Sequence, residues 1–365
     1  MFDQQYQTIR KSFASLRRDG VRHRDIADKL GISEGELIAA HAGVAIDAGA
    51  IETRDSPLQA VRLRAEWPGI IGAIEPLGEV MALTRNAHCV HEKSGVYRGA
   101  SHSERVGLVL GGAIDLRIFY RQWRHGFAVR ETTDQGVQRS LQFFDAAGAA
   151  IHKIFLRPAS EMHAYDALVD RFTAADQATG MMVVASAAPG TEKADADIDV
   201  AAFRDAWASL RDTHEFFGLL KRYSVSRTQG LRLADPEFAR RVDAMSARKV
   251  LDTAADEGLP IMVFVGNPGM IQIHSGPVKN IAVMDPWINV LDDGFNLHLR
   301  GDRIASAWVV RKPTEDGIVT SLELFDAAGE TIAILFGERK PGKPELNAWR
   351  VMLERLTREP APCAA

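Results

Sequence analysis

The spacing of apolar residues changes along the chain and divides it into helical and strand-rich stretches. Up to about residue 43 the sequence is rich in Ala, Leu, Arg and Asp and indicates helices. From about 80 to 156, short apolar runs are separated by Gly, Asn and Asp at hairpin-like intervals, a pattern typical of an antiparallel sheet. Helices are predicted at about 161–173 and 345–357, and one long helix at about 200–223. The chain therefore predicts an α+β fold.

This pattern occurs twice, at a fixed offset of 181 residues. Residues 140–148 (SLQFFDAAG) closely match 321–329 (SLELFDAAG), and the register also holds upstream, where Asn86 aligns with Asn267. A repeat this long is a domain rather than a solenoid unit. We therefore predict an internal duplication, with two similar halves that each contain a large antiparallel sheet flanked by helices. The Asp-Ala-Ala-Gly segments lie between apolar strands and predict hairpin turns.

A segment of small and acidic residues without an apolar period separates the two copies. It spans 185–198 and predicts a linker between an N-terminal repeat, 1–184, and a C-terminal repeat, 199–365. The total length of 365 residues points to the same organisation, because a domain averages roughly 150 residues.

The composition argues against a basic nucleic-acid-binding protein, a membrane-spanning protein and a disulfide-rich protein. A hydrophobic content of 46%, a charged content of 25% and a net charge of −4 describe an ordinary globular protein without a basic bias. The N-terminus lacks a signal-peptide pattern, and no stretch approaches the ~18 apolar residues that span a bilayer. We therefore expect a cytoplasmic protein without a membrane span. The two cysteines, Cys89 and Cys363, cannot supply a disulfide framework, and Cys89 is expected to be a small core residue.

A helix-turn-helix pattern occupies residues 24–37, with a turn at Gly31 and Ser33 as the N-cap of the second helix. Its presence makes a DNA-binding regulator the alternative function. The presumed second helix, 34–40, nevertheless carries acids where cations that contact phosphate should lie. Nucleic acid is therefore not the expected partner.

One histidine occupies an otherwise apolar stripe of the predicted long helix. The stripe has helical spacing and consists of Trp207, Leu210, His214, Phe217 and Lys221. A histidine in such a stripe is either a satisfied core residue or a ligand. A single imidazole among aromatic residues suits a flat apolar metallocofactor such as haem, in which one histidine supplies the axial bond. A zinc site would need three or four ligands, and no zinc-binding spacing appears.

Other candidate chemistry is weak. His88 and His91 are expected on opposite faces of a strand, at the surface and rim, rather than in a metal site. Sequence motifs for dinucleotide, P-loop, serine-hydrolase or kinase chemistry do not occur.

Five segments resemble the cytoplasmic haem-utilisation family, that is, the hemin-degrading factors and haem-trafficking proteins of the HemS/ChuS/PhuS type. The segments are 212–220 (DTHEFFGLL), 86–95 (NAHCVHEKSG), 114–119 (IDLRIF), 261–267 (IMVFVGN) and 307–313 (AWVVRKP). The resemblance covers nearly the whole chain, including its duplication. It implies two similar α+β halves, with haem bound between the C-terminal half and the helices that precede it.

The resemblance also implies roles for individual residues. His214 matches the proximal ligand of the haem iron, Arg117 the distal arginine and Phe264 the distal phenylalanine. The basic residues near the haem propionates are implied to be Arg227, Lys312 and Arg339. Phe336 stands where some members have a tyrosine, so a hydroxyl contact is expected to be missing here. Arginine and lysine suit propionate carboxylates, as a planar fork of donors and a point charge respectively.

The function implied is haem binding by a protein that handles imported haem. It would deliver haem to a haem oxygenase, degrade haem oxidatively to release iron, or do both. A haem importer and a haem oxygenase are the implied protein partners. The sequence leaves open whether the chain is a carrier or an enzyme, and the oligomeric state, electron donor and degradation product are equally open, as is a second haem in the N-terminal half. The alternative stays a helix-turn-helix regulator that responds to haem or iron.

Overall fold

A computed structural model describes residues 2–44, 57–185, 190–339 and 342–358. The helices within these residues are α1 Phe2–Arg18, α2 His23–Leu30, α3 Glu34–Ala39, α4 Trp67–Gly72, α5 Met162–Phe172, α6 Val200–Ala208, α7 Glu215–Tyr223, α8 Arg227–Leu233, α9 Ser246–Asp256 and α10 Asn347–Arg358. Short 3₁₀ turns cover Glu75–Leu77, Tyr120–Gln122, Asp195–Asp197 and Gly301–Arg303. In this part of the chain, no helix is both long and apolar enough to cross a membrane.

The strands are short and regularly spaced. They are β1 Leu58–Arg62, β2 Val80–Arg85, β3 Cys89–Gly95, β4 Ala100–His102, β5 Val106–Val109, β6 Asp115–Phe119, β7 His125–Thr133, β8 Gly136–Phe144, β9 Ala150–Leu156, β10 Ala239–Val242, β11 Ile261–Asn267, β12 Met270–Gly276, β13 Ile281–Met284, β14 Trp287–Asp292, β15 Phe295–Arg300, β16 Ser306–Thr314, β17 Gly317–Phe325 and β18 Thr331–Gly337.

These strands form two nine-stranded sheets with equivalent strand orders. The orders are β1-β7-β8-β9-β2-β3-β15-β14-β13 and β10-β16-β17-β18-β11-β12-β6-β5-β4. Strands that occupy the same place in the two sheets correspond to each other in the sequence repeat. For example, β7 and β16 are both second in order and begin 181 residues apart. The hairpins β7–β8 and β16–β17 share one antiparallel register, with Thr133 opposite Gly136 and Thr314 opposite Gly317. The predicted α+β fold with an internal duplication is confirmed.

The predicted Asp-Ala-Ala-Gly turns connect β8 to β9 and β17 to β18. In the first copy the Asp145 carboxylate accepts hydrogen bonds from the backbone N–H groups of Ala147 and Ala149, each at 2.9 Å, and Gly148 has φ +78°. In the second copy Asp326 and Gly329 repeat this geometry, again with φ +78°. The positive φ is why glycine ends both segments.

The chain divides into two compact units, and the first comprises Met1–Arg85, Glu92–Ala187 and Asn267–Gln272. Helices α1–α3 pack against one face of its strands β7, β8 and β9, through a core that contains Phe13, Phe127 and Phe144. A second core lies under α4 and α5 and contains Trp67, Trp123 and Phe143. The helices therefore cover both faces of these strands with apolar side chains, which bury about 150–250 Å² for each aromatic residue.

The second unit comprises Asn86–His91, Ala188–Gly266 and Ile273–Ala365. Helices α9 and α10 pack on one face of its strands, where Trp349, Leu322 and Leu335 are buried. Helices α6–α8 pack on the other face against Val310 and Phe325. Cys89 is buried in the first of these cores, as predicted, and burial raises the pKa of its thiol.

Each unit contains a short segment from the other half of the sequence, held by an asparagine. In the first unit, the Asn267 amide donates to the carbonyls of Arg85 and Ile151 at 2.9 and 2.8 Å. In the second unit, the Asn86 amide donates to the corresponding carbonyls of Gly266 and Ile332 at 3.1 and 2.8 Å. The sequence repeat did not predict this exchange. Of the predicted linker 185–198, residues 186–189 lie outside the described residues.

The helix-turn-helix geometry predicted near the N-terminus is present. Gly31 ends α2 in the left-handed conformation, and Ser33 caps α3 in a capping box with Glu36. The second unit repeats it 193 positions later, where Ser224 ends α7 with φ +55° and Ser226 caps α8. Its recurrence makes the motif an element of the duplicated scaffold, and at the start of α3 it carries the buried acid Glu34 rather than a cation that could contact phosphate.

Candidate functional site

His214 lies in a turn rather than inside a helix. The prediction of one helix over 200–223 is wrong, because α6 ends at Ala208 and α7 begins at Glu215. Two carboxylates close the turn before α7: the Asp212 carboxylate accepts from the His214 backbone N–H at 2.8 Å, and the Glu215 carboxylate accepts from that of Asp212 at 3.3 Å. These polar side chains compete with helical hydrogen bonds and start a new helix.

The imidazole of His214 projects into solvent, with 90% of its side chain exposed. Its Nδ1 lies 2.6 Å from Oδ1 of Asp212. Because an ionised carboxylate can only accept, Nδ1 donates to Asp212, and in the neutral imidazole the lone pair is then on Nε2. Hydrogen bonds from the His214 backbone and imidazole lower the pKa of Asp212, so this carboxyl is ionised at neutral pH. The arrangement is that of a histidine prepared to bind a metal through Nε2.

The exposed face of α7 continues from this imidazole. Phe217, one turn further along, is 75% exposed, and Gly218 beside it has open space around its Cα. Lys221 is exposed one turn beyond. An exposed phenylalanine next to a glycine provides an apolar, nearly flat surface next to the imidazole. The opposite face of α7 buries Phe216, Leu219 and Leu220 in the core.

A buried group of charges lies beneath α7 and α8. Glu323 on β17 is fully buried and accepts two hydrogen bonds from Arg227, at 2.7 and 2.9 Å, and one from Lys312 on β16, at 2.7 Å. Burial opposes ionisation of Glu323, but the charges of Arg227 and Lys312 outweigh it and hold its pKa well below the usual range. Two cations around one carboxylate leave a net positive charge, and Arg227 retains 27% exposure of its side chain.

Phe216 of α7 packs against this charged group. The Arg227 guanidinium lies 5.2 Å from the centre of its ring, and Nζ of Lys312 lies 4.6 Å from it. Both distances fit cation–π contacts. Burial is the main effect that lowers the pKa of Lys312, whereas the charge of Glu323 counteracts it. Lys312 itself is only 3% exposed, so its charge acts from beneath the surface.

Two half-buried phenylalanines lie on the same sheet face as Glu323. Phe264 on β11 and Phe336 on β18 contact each other edge to face, with ring centres 4.9 Å apart. Ile334 of β18 is paired with both Phe264 and Glu323, which puts all of these side chains on one face of the sheet. The second unit thus combines an exposed imidazole, apolar rings and excess positive charge.

The remaining predicted site residues lie elsewhere. Arg339 follows β18, and its guanidinium is 3.5 Å from the carboxylate of Asp316 in the β16–β17 turn. Arg117 belongs to the first unit, on β6, where it is paired with Asp115 and is about one-third exposed. The structure therefore brings Arg227 and Lys312 together around Glu323, and Phe264 together with Phe336.

Comparison with known protein families also detects the duplication. The chain matches the Haemin-degrading HemS.ChuX domain twice, over residues 31–172 and 224–356. Together these stretches cover most of its length. The chain belongs to this family.

Similar proteins align with nearly the whole chain. The hemin transport protein HmuS of Yersinia pestis is 38% identical over 346 residues, which cover 94% of this chain and 95% of that protein. The crystal structure of holo-PhuS, a heme-binding protein from Pseudomonas aeruginosa, superposes with a TM-score of 0.90 at 47% identity and covers 96% and 99% of the two chains. The heme degrading enzyme ChuS of Escherichia coli O157:H7 gives a TM-score of 0.85 at 33% identity, with the same coverage.

The family resemblance did not identify the two carboxylates that organise this site. Asp212 could have been found from its Asp-x-x-Glu spacing, which indicates the start of a helix. Glu323 gives no such signal, because a lone acid that alternates with apolar residues in a strand normally faces solvent. Only the pairing of β16 with β17 places it beside Lys312.

The histidines near Cys89 differ from their prediction. His88 lies in the turn before β3, 3.3 Å from the carboxylate of Asp326. His91 is completely buried against Phe295, with ring centres 5.0 Å apart, so its predicted place at the surface is wrong. The strand carries core residues on this face, and the imidazole fills the space of a core side chain. Among the described residues no cluster of three or more metal-ligating side chains occurs.

Proposed function

We propose that this protein binds haem as its cargo and that His214 is the axial ligand of the iron. The observation that carries the proposal is the exposed imidazole with Nδ1 held by Asp212 and Nε2 turned outward. One imidazole is sufficient to ligate haem, whereas zinc needs several ligands. The relatives named as hemin transport and heme-binding proteins support haem as the cargo.

Other side chains of the second unit fit the rest of a haem molecule. Phe217 offers an exposed ring for the apolar macrocycle, and the pair Phe264 and Phe336 offers a further apolar surface. Arg227 is the residue of the charged group that can reach a propionate, because part of its guanidinium is exposed. Lys312 would act through its charge, since Glu323 occupies its ammonium.

Two of the proposed contacts rest mainly on the family resemblance. Arg339 would contribute a second propionate contact, for which it would have to leave Asp316. Arg117 would be the distal cation, and its one-third exposure is compatible with binding. Phe336 lacks the hydroxyl that some members have at this position, so we expect no hydrogen bond from it.

We propose haem trafficking as the principal activity, and oxidative haem degradation as a second candidate. An exposed axial ligand favours a carrier, because cargo that is handed on needs an accessible site. Degradation is supported by the relative from Escherichia coli whose crystal structure is described as a heme oxygenase, which is 35% identical over 91% of this chain. Transfer from a haem importer to a haem oxygenase, and a cytoplasmic location, belong to the same proposal.

The ligand assignment is tested by replacing His214 with alanine. His214→Ala should remove the Soret band of the histidine-ligated complex and weaken haem binding by at least tenfold, or about 1.4 kcal/mol. His163→Ala is the matched control, because His163 is also exposed but lies on α5 in the first unit. An unchanged spectrum and affinity in His214→Ala would refute the assignment.

Carrier and enzyme are separated by aerobic incubation of the haem complex with a reductant and catalase. An enzyme should form an open tetrapyrrole, release iron and produce carbon monoxide despite catalase. A carrier should keep its haem intact: reduction of the iron shifts the Soret band, but no open tetrapyrrole, free iron or carbon monoxide forms. Cleavage that disappears when catalase is added would instead be coupled oxidation by free peroxide.

A further inference from the structure

Asp212 makes two hydrogen bonds with one oxygen atom. Its Oδ1 accepts from the His214 backbone N–H at 2.8 Å and from the imidazole Nδ1 at 2.6 Å. The first bond satisfies the backbone N–H of His214, the residue immediately before α7, and so holds the turn that leads into this helix. The second bond has no part in capping the helix. It fixes the rotation of the ring and assigns the proton to Nδ1.

Glu215 has a separate task in the same turn. Its Oε2 accepts from the backbone N–H groups of Arg211 and Asp212, at 3.0 and 3.3 Å. Glu215 therefore closes the backbone of the turn without contacting the imidazole. Glu215 thus bonds the backbone of the turn, whereas Asp212 bonds the imidazole. The side chain of Asp212 is therefore the group that sets the orientation and tautomer of the His214 ring.

We propose that Asp212 is a positioning residue for haem binding: its carboxylate holds His214 in the Nδ1–H tautomer and makes Nε2 a stronger donor to iron. The proposal rests on His214 being the haem ligand. Hydrogen bonds from a ligating histidine to a carboxylate raise its basicity and fix its orientation. A carboxylate partner should also favour the ferric over the ferrous state, because its negative charge stabilises the higher charge of the iron.

The first test uses the haem-free protein. Long-range ¹H–¹⁵N NMR of the His214 ring, at a pH where the ring is neutral, should show a proton on Nδ1. In Asp212→Ala the proton should move to Nε2, which is the preferred tautomer of a free imidazole. In Asp212→Asn the amide oxygen can still accept, so Nδ1 should keep its proton. An Nε2–H tautomer in the unsubstituted protein would overturn the proposal.

The second test uses the haem complex. Asp212→Ala should weaken haem binding about 10–100-fold, the usual cost of losing such a partner, and should move the ferric/ferrous midpoint potential in the positive direction. Asp212→Asn should give the same shift of potential with a smaller loss of affinity, because it keeps the orientation and loses the charge. Asp205→Asn removes an exposed carboxylate from the neighbouring helix α6 and should change neither quantity.

The two possible failures can be told apart. If Asp212 only caps α7, Asp212→Asn should leave the midpoint potential at the unsubstituted value while Asp212→Ala lowers helix stability, and the inference fails although His214→Ala still loses the haem spectrum. If His214→Ala binds haem normally, the proposed function fails, whatever tautomer the haem-free protein shows.

Discussion

The two units carry the same helix-turn-helix on equivalent strands, but the charges beneath it are reversed. In the first unit the residue after the Ser33 cap is Glu34, which is paired with Lys153 at 2.5 Å and with Arg85. In the second unit the residue after the Ser226 cap is Arg227, which is paired with Glu323. The first unit therefore has an acidic helix residue, Glu34, paired with basic strand residues. The second unit has a basic helix residue, Arg227, paired with an acidic strand residue.

The next pair of equivalent positions is reversed as well. Glu131 of the first unit contacts Arg17 at 2.5 Å and His23 at 3.0 Å. Its counterpart 181 residues later is Lys312, which is paired with Glu323 and lies over Phe216. A buried charge is costly without a partner, so a single reversal would be strongly destabilising. In these two units the buried charges are exchanged together with their partners, and in the second unit the two cations, Arg227 and Lys312, lie over the ring of Phe216.

The largest expected effect comes from removing the carboxylate shared by two cations. Glu323→Gln should lower the free energy of unfolding by roughly 3–5 kcal/mol, because Lys312 and Arg227 lose their common partner. Denaturant titration measures this change. Glu330→Gln, at an exposed position on the neighbouring turn, is the control and should change stability by less than about 0.5 kcal/mol. Equal effects of both substitutions would show that the Glu323 group is not a buried charge set.

Acid should destabilise the first unit over a defined pH range. Cationic partners outweigh the effect of burial and lower the pKa of Glu34 and of Glu131 to about 2, from an ordinary 4.5. A lowered pKa in the folded state means that this stabilisation is fully present above pH 4.5 and is lost as pH falls toward 2. The loss should be on the order of 3 kcal/mol for each group.

Unfolding measured as a function of pH tests this expectation. Glu34→Gln and Glu131→Gln should each flatten the acid limb of the stability curve, because the substituted side chain no longer takes up a proton on unfolding. An acid limb that keeps its slope in both variants would contradict the assigned pairing.

Transplanting the ligand into the first unit sharpens the comparison. Val21 lies 193 positions before His214, in the turn between α1 and α2, and Asp19 corresponds to Asp212. In a His214→Ala background, Val21→His should restore haem binding at least about tenfold more weakly than the natural site, or ~1.4 kcal/mol. The reason is that Glu34 and Glu131 replace the two cations. Full affinity in the double variant, measured by Soret titration, would show that the charge reversal is irrelevant to haem.

The smallest effect concerns the left-handed residue that ends the first helix of each motif. Ser224 adopts φ +55°, whereas Gly31 fills the equivalent position with φ +66°. Ser224→Gly should stabilise the protein by about 0.5 kcal/mol, and Gly31→Ser should destabilise it by about 1 kcal/mol. Chemical denaturation resolves the signs. Like signs for the two substitutions would mean that the two turns are not equivalent.

Prediction from sequence succeeded where the signal was local or repeated. The 181-residue offset located equivalent strands and the turns at Asp145 and Asp326. Strand periodicity and turn preference both depend on residues that are close together in sequence, so they can be recognised there. The helix over 200–223 was wrong because its apolar stripe was given more weight than the capping signature at Asp212. Glu323 and the exchanged segments were beyond prediction, since they depend on pairings between residues far apart in sequence. The haem-binding roles of all the site residues stay predictions: His214, Arg117, Phe264, Arg227, Lys312, Arg339 and Phe336.

The exchanged segments have a consequence for the history of the chain. In the first unit the Gly269 carbonyl accepts from the Trp123 indole at 3.0 Å, and the Gln272 side chain accepts from Thr84 at 2.9 Å. Both acceptors are encoded in the second copy of the gene segment. Once these contacts had been fixed, loss of the second copy would have left the buried Trp123 indole without its acceptor. The contacts therefore tie the two copies of the repeat to one chain.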